Sequence, residues 1–412
     1  MDAGRATATE GPEEGKLRLE NAIPFTKSDV VEHLAGRFDD AAEGNRFRAL
    51  CALVESIYHL RFHENLEDWK LSYAPFDPDR GEGLIPGVSP LPSPEAERSA
   101  LDGLRKVLVA ANYREIDGAR IKEAFGRTSP WGLEIEVDLG RYRTLGLFYR
   151  GEHPESLIKE ALLLKKKFDY SVFRQVVLVF GLKEEAKGRK GRGKKGKGRY
   201  RSDRLYIKLF KNVPTVDLEM LFPEAEIRVR TVDKLKVVLP LAAGAGSSLY
   251  KIIGYVLGSG QIQYLWHQVG FWALVGGFFG VALKGFSSYK NTVEKYLKAL
   301  TESLYFQNLD NNSGVFKYLL DDAEEEECKE LILGWYFLHF GGGGITEAEL
   351  DARVEAYFHD ELGSELDFEV DDALRKLVDL GLVSVEDGRL SALPPAAAHE
   401  AIERRWEVEA KL

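Results

Sequence analysis

Cysteine is nearly missing from this 412-residue chain: there are two, Cys51 and Cys328, 277 positions apart. That excludes a disulfide framework and fits a reducing compartment, with each thiol read as a small buried apolar side chain rather than a nucleophile. The first twenty residues lack any apolar run and carry Asp2, Glu10, Glu13, Glu14 and Glu20, a pattern that excludes a secretory signal and opposes a transit peptide. Phosphate-cradling glycine motifs, an H-E-x-x-H pair and a G-x-S-x-G elbow are all absent, so the common nucleotide-binding, zincin and hydrolase signatures are excluded. What reaction, if any, the protein carries out is not written in these motifs.

Two long apolar runs are present instead. Val237–Leu257 and Leu265–Leu283 are joined by a short tether, and at the helical rise they reach roughly 32 Å and 28 Å, near the thickness of a bilayer core. Tyr255, Tyr264 and Trp266 cluster at the tether side, and Lys/Arg residues flank the outer ends. The expectation is a two-helix transmembrane hairpin in a bacterial inner membrane with both termini cytoplasmic; the alternative is a mitochondrial membrane.

Charge is segregated. The whole chain carries a net −10, and Ile345–Leu390 alone holds 14 acidic against 4 basic residues. The opposite pole is Lys187–Arg201, where Lys187, Arg189, Lys190, Arg192, Lys194, Lys195, Lys197, Arg199 and Arg201 stand among five glycines with no acid. Such a run attracts anionic lipid or another polyanion. With Tyr200 as its one aromatic, it offers little to stack on bases, which reads against nucleic acid as the partner.

The chain divides on pattern into a disordered leader (1–20), an N-terminal helical region and loop (21–90), an α+β domain (91–232) with the basic loop 183–202, the hairpin (237–283), a helical region (287–340) and a winged-helix-like unit (345–406). In the first helix Phe47, Leu50, Cys51, Val54, Ile57, Tyr58 and Phe62 recur on one face. Leu133–Leu139 alternates apolar with acidic residues as a strand, paired with residues 144–150; a helix is expected over 154–168, then strands over 171–182 and 204–213. Pro214 to Pro223 bounds a two-turn helix with Val216, Met220 and Leu221 on one face and Asp217 and Glu219 off it. Near the C-terminus two helices precede a hairpin centred on Asp387-Gly388, the order of a winged helix. Its second helix carries Glu369, Asp371, Asp372 and Asp379, which disfavours phosphate contact and points to protein partners or self-association.

Glu55, His59 and His63 stand at i, i+4 and i+8 on one helical face, the geometry by which two imidazoles share a metal with a carboxylate. The acidic run Asp321–Glu327 lacks the alternating oxygen ligands of a calcium loop and reads as a solvated helix face.

The blocks "LYIKLFKNVPTVDLEMLFPEAEIRVRTVDKLKVVLPL", "LYFQNLDNNSGVF", "DDAEEEECKELILGWYFL" and "DFEVDDALRKLVDLGLV" stand in this order around the apolar runs. Over about residues 130–406 the chain thereby resembles an uncharacterised membrane family, domain of unknown function 3754, which includes mitochondrial transmembrane protein 143. The resemblance implies two spans and no assigned catalytic residue or cofactor. The resulting expectation is a membrane-anchored, non-enzymatic interaction or sensing module facing the cytoplasm. The alternatives are a membrane-bound metalloenzyme using Glu55, His59 and His63, and a weak binder of RNA or anionic lipid through the basic loop.

Overall fold

The computed structural model describes residues 21–80, 91–121, 133–161, 164–184, 200–223, 226–229, 307–342 and 344–409, with isolated positions between 276 and 298. The chain divides into two units: Glu115–Val315, and a discontinuous one made of Met1–Arg114 with Phe316–Leu412.

The first of these is built on antiparallel sheet. Among the described residues its strands are β1 (Arg114–Glu115, where the chain passes between units), β2 (Leu133–Glu136), β3 (Tyr142–Ala161), β4 (Leu164–Leu182), β5 (Tyr206–Pro214), β6 (Glu226–Val229) and β7 (Asn308–Asn311). Five form one sheet in the order β1-β3-β4-β5-β7, and β2 pairs with β6. The β3–β4 hairpin sets Leu147 across from Leu178 and Tyr149 across from Val176. This row faces a core with Phe180, Phe210, Leu218, Leu221 and Phe222. Tyr206 stacks on Phe180 with ring centroids 5.1 Å apart, and the Tyr142 hydroxyl donates to the Pro223 carbonyl at 2.7 Å.

Three local expectations change here. The strand at Leu133 pairs with β6, Ile135 opposite Ile227, and not with residues 144–150. Residues 154–168 are extended: Pro154, which reads as a helix start, lies across from Ser171 in the ladder, and Tyr170 donates its hydroxyl to Glu155 at 3.1 Å. Cross-strand pairing along a long register has overridden local helix preference. Thr215–Leu221 is a 3-10 helix, whose three-residue turn aligns Leu218 with Leu221 and buries both, together with Glu219, while Met220 is only half-buried.

The second unit is helical: α1 (Lys27–Ala35), α2 (Ala41–Tyr73), α3 (Pro94–Ala110), α4 (Val315–His339), α5 (Glu347–Leu362), α6 (Val370–Asp379) and α7 (Pro395–Glu409), with the hairpin β8 (Val383–Glu386) and β9 (Arg389–Ala392). Side-chain oxygens of Thr26, Asp40 and Ser93 cap α1, α2 and α3, and Pro94 opens α3 where its missing donor costs nothing. The apolar face read on α2 is buried from Phe47 to Tyr58. It packs with Cys328, Leu331, Ile332 and Trp335 of α4 in one core, and Phe47 stacks on Trp335 at 5.7 Å. Both cysteines are free and buried there, and burial pushes their thiols up.

In the C-terminal part α5 and α6 precede the β8–β9 hairpin, and Ile345 bridges to Leu390 as a one-residue strand beside β9. Asp387 and Gly388, both at positive φ, make the tight turn between β8 and β9.

The expected transmembrane hairpin is corrected. Among the described residues no helix is long and apolar enough to cross a membrane, so the reading as an α+β membrane protein, integral to an inner or mitochondrial membrane, is overturned in favour of an α+β architecture with antiparallel sheets. The apolar runs 237–257 and 265–283 lie outside the described residues apart from positions 276, 280 and 283, as does the leader 1–20.

Candidate functional site

The most heavily organised polar group among the described residues sits on α4. Its acidic run is solvated only at one end: Asp321 is exposed, whereas Glu326 is buried and Glu327 nearly so, and Lys329 and Glu330 just past the run are buried too. The Lys329 ammonium uses all three donors, to the carbonyls of Ile23 (2.8 Å) and Phe25 (3.0 Å) and to Glu326 Oε1 (2.7 Å). The other Glu326 oxygen accepts from the Ile23 amide at 2.9 Å, and Glu325 accepts from the Lys27 amide at 3.0 Å. The segment ahead of α1 is thus strapped across α4 by side chains that recognise its main chain.

A second ammonium completes the cluster. Lys376 of α6 points inward, its Nζ 2.6 Å from Glu330 Oε2, 2.7 Å from Glu327 and 2.6 Å from Asp372. Burial works to lower its pKa; Glu330 and Glu327 overcome that and hold it above the ordinary lysine value. Asn112, just past α3, donates its amide to Glu330 at 2.9 Å and to Glu326 at 3.3 Å. With every donor of both lysines used, the cluster holds helices and strap together and leaves no lysine free for nucleophilic chemistry. Sequence reasoning missed it because acidic residues were assigned to water. The available signal was spacing: Leu319, Ala323, Glu326, Glu330 and Leu333 step along one stripe at i+3 and i+4, and the whole stripe is buried.

Charged side chains of α6 are engaged within the unit. Lys376 is buried, Arg375 pairs with Asp372, and Asp379 faces Arg61 at 3.2 Å and Arg405 at 3.7 Å.

The residues read as metal ligands lie on one face of α2 but are engaged elsewhere. Glu55 holds Lys27 Nζ at 2.5 Å, His59 Nδ1 meets Glu324 at 3.0 Å, and the His59 and His63 rings lie 6.5 Å apart at the surface. Among the described residues no group of three or more His, Cys, Asp or Glu side chains is arranged to hold a metal ion. An open groove of about 740 Å³ runs between α2 and α3, floored by Trp69 and Val107 and rimmed by Asp68, Arg98, Asp102 and Lys106.

The basic connection between β4 and β5 is described only at its ends; Lys187, Arg189, Lys190, Arg192, Lys194, Lys195, Lys197 and Arg199 lie outside the described residues. Arg143 of β3 donates to the carbonyls of Leu182 before the run and of Ser202 and Arg204 after it. A side chain at Gly181 would come within 3.1 Å of that guanidinium. Tyr200 is held by Phe180 and Tyr206 (centroids 5.3 and 4.9 Å) and accepts from Lys208 Nζ at 3.0 Å. Arg201 forks onto Asp203 at 2.8 and 3.0 Å.

No solved structure matches the chain. A family model does match within the strand unit, from the middle of β4 to the residue before α4; it assigns neither an activity nor a membrane location, and it is shorter than the resemblance expected over 130–406. Residues 173–314 match the family described as Protein of unknown function (DUF3754).

Proposed function

We propose that this protein is a non-enzymatic interaction protein whose assignable contact is with polyanions, through the connection between β4 and β5. The observation that carries this reading is charge: nine Lys and Arg and no acid between Lys187 and Arg201, in a chain of net charge −10. Phosphate neutralisation supplies most non-specific nucleic-acid affinity, and a glycine-spaced cationic run suits that task without a folded groove. Tyr200, the one aromatic in the run, is engaged by Phe180, Tyr206 and Lys208, so base stacking contributes nothing and the contact is with anionic groups alone, for which RNA serves as a generic polyanion probe.

Filter binding of a mixed-sequence single-stranded RNA tests it. The full chain is expected to lose about tenfold or more in affinity between 50 and 200 mM salt. A chain with residues 187–199 replaced by a neutral Gly/Ser run should bind no better than background. Salt-independent binding, or equal binding by the neutral variant, overturns the reading.

A further inference from the structure

We propose that the charged cluster joining α4 to α6 is a proton-operated latch, closed while Glu330 carries a proton and loosened when Glu330 ionises. Glu330 is faced by Lys376 of α6, Asn112 from the end of α3 and Glu327 of its own helix; Glu326 shares Asn112 with it, Asp372 of α6 shares Lys376, and Tyr58 of α2 lies near Lys376 and Glu327. Fully ionised, the four carboxylates outweigh Lys329, Lys376 and the Arg375 guanidinium that pairs with Asp372 by one charge, in a site whose inner end at Glu326 and Glu330 is buried. That excess is costly where charges are desolvated, and one bound proton removes it.

Glu330 is the group that takes the proton. Glu326 has its own lysine at 2.7 Å and the Ile23 amide besides. Glu327 and Asp372 retain 14% and 18% exposure, whereas the Glu330 side chain retains 4% and shares Lys376 with both. Burial pushes the Glu330 carboxyl up to about 7 against the pull of Lys376. Ionisation places like charge at Glu327, Glu330 and Asp372 around one ammonium, so α6 and the β8–β9 hairpin that follows it loosen on the alkaline side of neutrality.

The direction follows from linkage. A carboxyl whose folded pKa is raised stabilises the fold fully below its unfolded value, and that contribution is lost as pH rises through the folded one. With values of 4.5 unfolded and about 7 folded, the opening equilibrium rises about tenfold between pH 6 and pH 8.

Amide hydrogen exchange of the full-length chain, corrected for intrinsic rates, reads this directly. In the wild type, α6 amides are expected to lose about tenfold in protection from pH 6 to pH 8, and Glu330→Gln should hold its protection across that range. Unchanged wild-type protection, or an equal loss in Glu330→Gln, overturns the latch. Should Glu330→Gln not fold, infrared titration of a Glu219→Gln chain decides the matter: the latch requires a protonated carboxyl that titrates near neutrality, and its absence between pH 5.5 and 7 removes the proposal.

Discussion

The indole of Trp69 lies flat on the ring of Phe316, centroids 3.6 Å apart and planes 20° from parallel. Trp69 also donates its Nε1 to the Ala100 carbonyl at 3.1 Å, and a Cβ at Gly103 of α3 would come within 3.1 Å of the indole. One side chain therefore joins α2, α3 and α4. Trp69→Ala is expected to cost about 3–5 kcal/mol in a urea melt of the full chain, and a loss under about 1 kcal/mol would show that the three helices do not depend on this contact.

Lys329 and Glu326 form a pair in which both partners are buried. Lys329→Met leaves Glu326 charged and the Ile23 and Phe25 carbonyls without a donor, and should lower stability by about 3–5 kcal/mol. Adding Glu326→Gln to that variant should recover part of the loss, because the stranded charge is gone. Equal stability of the single and double variants would contradict the pairing.

Glu219 is buried in the 3-10 segment, with one carboxylate oxygen lacking a hydrogen-bond partner. Burial, with Asp217 adding to it, pushes its carboxyl up to about 7. The stability it allows is complete below the ordinary value of 4.5 and falls as pH rises through 7. Glu219→Gln should therefore match the wild type in thermal melts at pH 4.5 and exceed it at pH 8, by of the order of 1 kcal/mol. A variant that is less stable at pH 8 would mean that the charged form is stabilised after all.

His59 and His63 lie at the surface, His59 with 73% of its side chain exposed. Replacing both with alanine is expected to change stability by less than about 0.5 kcal/mol and to leave the metal content of tag-free protein unchanged. Elemental analysis showing stoichiometric metal that the double variant loses would restore the histidine face as a metal site.

Several elements were legible because one local signal dictated them. The apolar stripe of α2 had nowhere to go but a core, and Asp387-Gly388 supplied the positive φ that the β8–β9 turn demands. Elsewhere the decisive partner is far away in sequence. Leu133–Glu136 finds its ladder at Glu226–Val229, and the helix-like 154–168 is drawn into a hairpin by residues on its other arm. The cluster around Glu330 was illegible for a different reason. Acidic residues default to water, and Lys376 and Asn112, 46 and 218 positions away, make the burial of Glu330 tolerable. Of the expected metal face, the common helical side of Glu55, His59 and His63 was legible, but not that Lys27 would claim Glu55 and Glu324 would claim His59.

The helical unit is interrupted in sequence: its chain leaves at Arg114 and resumes at Phe316. On a ribosome adding roughly 5–20 residues per second, α1 to α3 emerge some 10–40 s before α4, whose Cys328, Leu331 and Trp335 they must bury against. During that interval the apolar face of α2 is covered by α1 and Phe38 but lacks α4, and the strand unit, which occupies the intervening sequence, is completed only at its end. Nascent chains stopped before Phe316 should accordingly be chaperone clients, and those carried past Ile402 should not.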